Sequence, residues 1–96
     1  MDANETFSVV DQRVAPFIML DKDLIDKHGA RLGPHLLGIY VALLRHAQPR
    51  ARYSFDRMAT LVGETLQIDP RELDVNAYIL EDLGLIRTGR GWIEVR

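Results

Sequence analysis

From Arg45 onward the chain carries eight arginines, Arg45, Arg50, Arg52, Arg57, Arg71, Arg87, Arg90 and Arg96, against a crowd of carboxylates in its first third. Guanidinium is a planar fork that stays charged and fits phosphate oxygens, so this bias points to a polyanion, or to a solvated surface, before it points to catalysis. No catalytic constellation can be assembled. The only serines are Ser8 and Ser54, the second better placed as a helix cap, and there is no cysteine nucleophile. His35 and His46 share one face of an apolar helix but stand about three turns apart, roughly 16 Å, too far to ligate one metal. His28, near Asp23 and Asp26, reads as a helix-end cation. Gly89-Arg90-Gly91 lacks the lysine and the following helix of a phosphate loop. The expectation is a protein that is not an enzyme and needs neither metal nor cofactor.

Composition sets the frame for those residues. With 96 residues, 47% of them hydrophobic, the chain suits one modest core. The absence of cysteine excludes a disulfide framework and thiolate metal sites, and the amino terminus, Met1-Asp2-Ala3-Asn4-Glu5, is acidic where a secretory signal would be basic. A cytoplasmic protein is expected. The longest apolar run, Leu36 to Leu44, is about half the length that crosses a bilayer, so it predicts a buried helix and no membrane partner. Twelve basic and fourteen acidic side chains leave a net charge of -2. Any contact with nucleic acid must therefore be local.

The elements that would position the arginines follow from spacing and punctuation. Asp21 caps a short helix, Lys22 to His28, closed by Gly29; Gly33 and Pro34 open a second, Pro34 to about Ala47, apolar on most of its circumference. Ala51 to Tyr53 suit a very short strand. Ser54 then caps a helix from Phe55 to Val62, ended by Gly63, and Glu64 to Ile68 form a turn. Asp69 and Glu72 have the spacing of a capping box around Pro70, opening a helix that runs to Leu83 and stops at Gly84. Its inward stripe is Leu73, Ala77, Leu80 and Leu83, and projection at about 100 degrees per residue turns Arg71, Asp74, Val75, Tyr78 and Asp82 outward. Leu85 to Thr88 and Trp92 to Val95 alternate as a hairpin around Gly89-Arg90-Gly91. The fold class is mainly α with a small β-hairpin.

Three segments carry a family likeness: Gly33-Pro34-His35-Leu36-Leu37-Gly38-Ile39-Tyr40 continuing to Ala47, then Ser54-Phe55 with Ala59-Thr60-Leu61-Val62-Gly63, then Leu80-Glu81-Asp82-Leu83-Gly84-Leu85-Ile86. Together they resemble bacterial winged helix-turn-helix domains, of the kind found in plasmid and phage replication initiators and related regulators. The likeness covers residues 17–96, leaving 1–16 as an N-terminal arm. It implies a protein of transcription regulation or replication initiation whose partner is double-stranded DNA, with helix 70–83 in the major groove and wing 85–95 beside it. Carried onto this sequence, the DNA-contacting residues would be Arg52, Arg57, Arg71, Val75, Tyr78, Arg87 and Arg90.

Two features favour a different use of the same fold. Acidic residues on the outward face of the helix after Pro70 are unusual among base readers, which are commonly Arg, Lys, Asn or Gln. The arm, with Phe7, Val9, Val10 and Phe17, is more apolar than one short segment needs, which suggests a homodimer. The alternative is a winged-helix protein-protein interaction module, for dimerisation or complex assembly, without direct DNA binding. A continuous positive strip around Arg71 and Arg90 would separate the two classes.

Overall fold

The computed structural model describes residues 20–96. The expected arm and its dimer contacts through Phe7, Val9, Val10 and Phe17 lie outside the described residues. Along the chain run α1 (Lys22–His46), β1 (Arg52–Ser54), α2 (Phe55–Leu66), α3 (Arg71–Asp82), β2 (Ile86–Gly89) and β3 (Trp92–Val95). The architecture is mainly helical, with one antiparallel sheet of order β1-β3-β2.

Asp21 caps α1 as expected, its side chain accepting from the Asp23 amide at 2.8 Å. The expected stop at Gly29 does not occur. The helix continues to a break at Gly33 (φ 70°, ψ 170°), which separates segments 22–32 and 34–46. Proline crowds the residue before it out of the helical region, and the conformation Gly33 adopts is open almost only to glycine. The second segment buries Leu36, Ile39, Tyr40 and Leu43 and is the centre of the core.

Ser54 caps α2 by accepting from the Arg57 amide at 3.3 Å, but Gly63 does not end this helix. It runs to Leu66 and closes on Gln67 in the left-handed conformation, the amides of Gln67 and Ile68 both donating to the Gly63 carbonyl. The turn between α2 and α3 therefore shrinks to residues 67–70, in place of the expected Glu64 to Ile68.

The start of α3 keeps half of its expected capping box. Asp69 Oδ1 accepts from the Arg71 amide at 2.9 Å, and Pro70 already has helical dihedrals, so Asp69 is the cap and Pro70 the first helical residue. Glu72 does not reach back. Its carboxylate instead meets His35 Nε2 at 3.0 Å, tying α3 to α1. Inside, Leu73, Ala77 and Leu80 are buried and Leu83 is half-buried. Gly84 (φ 79°) stops the helix: its amide donates to Glu81 and that of Leu85 to Leu80, the paired bonds of a left-handed helix end.

The hairpin turns at Arg90-Gly91, with Gly89 opposite Trp92 and Ile86 opposite Val95, so its first strand begins one residue later than expected. The short strand before α2 is not isolated. It spans Arg52–Ser54 and pairs with β3, making the hairpin a three-stranded sheet. Ile86, Ile93 and Val95 face the helices and join Met58, Leu43 and Leu80 in the core. Trp92 lies flat across Gly89, where a Cβ would collide with the indole. Among the described residues no helix is long and apolar enough to cross a membrane.

Candidate nucleic-acid interface

Strand side chains alternate between faces, so the neighbours of the inward row of half-buried Tyr53, buried Ile93 and half-buried Thr88 point away from the helices. One such row is Arg52, Glu94 and Arg87, in register across all three strands. Arg52 Nε lies 3.4 Å from one carboxylate oxygen of Glu94, and Arg87 Nη1 lies 3.7 Å from the other. Glu94 is only 8% exposed, whereas both arginines are about half exposed. The Arg52 guanidinium also stacks over Trp92, 3.9 Å from the ring centroid. One carboxylate thus fixes two guanidiniums that still meet solvent.

Further cations border this face. Arg50 and Arg96 stand at the end of the sheet, their amides donating to the carbonyls of Val95 at 2.7 Å and Leu85 at 3.0 Å. Arg90 is exposed at the hairpin tip, which is pinned to the start of α2 by the Phe55 amide donating to Gly91. Arg57 is exposed on α2 and borders a shallow depression with Asp56 and Glu64. Arg50, Arg57, Arg90 and Arg96 make no ion pair among the described residues.

The outward face of α3 has the opposite character. Arg71 is exposed but grips Asp69, with Nη2 at 3.0 Å from Oδ2 and Nε at 3.3 Å from Oδ1. Val75 and Tyr78 are 64% and 69% exposed, the only large apolar side chains so exposed among the described residues. Between α3 and the hairpin runs a groove of about 410 Å³ lined by Asp56, Asp74 and Glu81 together with Phe55, Ala77 and Tyr78. No cation lines it. The remaining α3 acids are matched from α1: Asp82 by Arg31 at 3.2 Å and Glu72 by His35. Asp74 also borders the hollow that holds Arg71, so carboxylates interrupt the expected positive strip from Arg71 to Arg90, which counts against DNA contact through α3 and leaves the exposed cations of the sheet as the remaining candidate.

The hydrogen bonds from Arg71, side chain first and then backbone, hold the Asp69 carboxyl below the usual aspartate range, and Asp69 in turn raises Arg71. A carboxylate lowered in the fold stabilises it above the ordinary carboxylate range, and that contribution is lost as pH falls through the folded value. An NMR titration should therefore find Asp69 with a lower midpoint than unpaired aspartates, and Arg71→Ala should return it part of the way. An unchanged midpoint in that variant would show that the pair does not form.

The histidines are dispersed, His35 on Glu72 and His46 Nε2 at 2.7 Å from Thr65 Oγ1, and among the described residues no cluster could hold a metal ion. Sequence reasoning names Arg52, Arg87 and Arg90, and places Arg96 on the same wing, but misses Glu94, which lies between the first two, and leaves Arg50 out of the contacts. The signal is the alternation Arg52, Glu94, Arg87, legible only once β1 is known to pair with β3. Comparison with known proteins finds no family model, no curated protein and no solved structure that matches this chain.

Proposed function

We propose that the chain is a winged helix-turn-helix domain that binds double-stranded DNA through the outer face of its sheet and the hairpin tip, with α3 outside the major groove. The order helix, strand, helix, short turn, helix and hairpin supports the fold reading. The observation that carries the binding mode is the row Arg52–Glu94–Arg87. It sets two half-exposed guanidiniums side by side on the outer face of the sheet, with Arg50, Arg90 and Arg96 exposed at its ends, so cations that can meet phosphate are gathered there. Insertion of α3 would instead bring Asp56, Asp74 and Glu81 towards phosphates. Recognition on this reading is dominated by backbone contact, which positions the protein on the duplex without reading sequence.

The test is a titration of labelled duplex at several salt concentrations. Each lost phosphate contact should make the log-log slope shallower by about 0.9. Arg87→Ala and Arg90→Ala should each do so on every sequence, while Arg71→Ala should leave both affinity and slope unchanged. Loss of binding in Arg71→Ala with retention in Arg87→Ala and Arg90→Ala would return α3 to the groove. No binding at low salt would favour an interaction module that does not touch DNA.

A further inference from the structure

We infer that the outward face of α3 and the groove beside it dock a cationic, apolar-anchored segment of a partner protein. The inference does not depend on DNA binding by the sheet, because it draws on different side chains. Val75 and Tyr78 stand one helical turn apart on a face that no other described element covers, and large exposed apolar side chains at such spacing are a common signature of an interface. Tyrosine is also among the residues that most often dominate binding when truncated.

Charge selects the occupant. Among the described residues the groove next to Tyr78 is lined by Asp56, Asp74 and Glu81 with no cation, and the Thr88 hydroxyl donates to Glu81 at 2.7 Å. The nearest cation on α3, Arg71, is occupied by Asp69, and the other two α3 acids are already matched from α1. A polyanion is repelled from such a face. A second copy meeting it across a two-fold axis would oppose acid to acid. A segment with lysine or arginine on both sides of one or two apolar side chains would satisfy the carboxylates and cover the pair at once.

The probe is a labelled twelve-residue peptide alternating lysine and leucine, compared with a peptide carrying glutamate in place of lysine. The lysine peptide is expected to bind, to perturb amide resonances of residues 74–81 and Thr88, and to lose about tenfold in affinity in Asp74→Lys and in Tyr78→Ala. Both sites are exposed, and circular dichroism checks that the variants remain folded. Equal binding of the two peptides, unchanged affinity in the variants, or perturbations confined to the sheet would overturn the inference. So would perturbation of residues 74–81 by duplex DNA added without the peptide, or a dimer that Tyr78→Ala dissolves. If the peptide binds as expected while duplex does not bind at all, the DNA reading fails and this one stands.

Discussion

Leu80→Ala is expected to lower the unfolding free energy by about 2–5 kcal/mol, the range seen when a fully buried leucine is truncated and its cavity only partly collapses. Leu80, like Leu73, is completely buried in the stripe that seats α3 against the other helices and the sheet. Its carbonyl also accepts from the Leu85 amide, so the residue sits where α3 ends and β2 is launched. Domains of this kind are stable by about 5–15 kcal/mol, so the loss would be a large fraction of the total. Urea unfolding should show a lower midpoint with an unchanged slope, and Leu83→Ala, at a half-buried position of the same stripe, should cost less. A Leu80→Ala loss below about 1 kcal/mol would mean that this stripe does not anchor the helix.

The docking face inferred for α3 depends on that anchoring, because the same helix that buries Leu73, Ala77 and Leu80 turns Asp74, Val75 and Tyr78 outward. This division is legible in the sequence, since helical periodicity fixes both faces together. Helix ends are legible where one residue type meets one backbone demand. Gly84 supplies a left-handed stop, Asp69 a cap, and Gly33 a break forced by the proline behind it. What stays hidden is long-range. Pairing of β1 with β3 depends on the path of the whole α2–α3 unit, and only that pairing puts Glu94 between Arg52 and Arg87. In one dimension these are three charges scattered over more than thirty residues. Across the sheet they become one fixed group, with consequences for which arginines can meet phosphate.

Gly63 shows the same difficulty on a smaller scale and leads to the second large effect. Its sequence context suggests a helix end, yet Gln67 takes the left-handed position, helped by its own Nε2 donating to the Glu64 carbonyl at 2.8 Å. The reason for glycine at 63 is proximity. A Cβ there would lie 2.9 Å from the Ile68 carbonyl oxygen and 3.2 Å from Pro70 Cγ, in the tight turn that sets α3 against α2. Backbone cannot step aside as a flexible side chain can. Gly63→Ala is therefore expected to destabilise by up to about 2 kcal/mol, an overpacking cost of about 1–3 kcal/mol reduced by a helix-propensity gain of about 1 kcal/mol. Gly38→Ala is the control, since a Cβ at that helical position meets nothing within 4 Å and should stabilise by about 0.5–1 kcal/mol. Denaturant melts of the two variants should move in opposite directions. Two stabilising results would mean that the turn can relax around a methyl group, and the angle between α2 and α3 would then not be set by contact at Gly63.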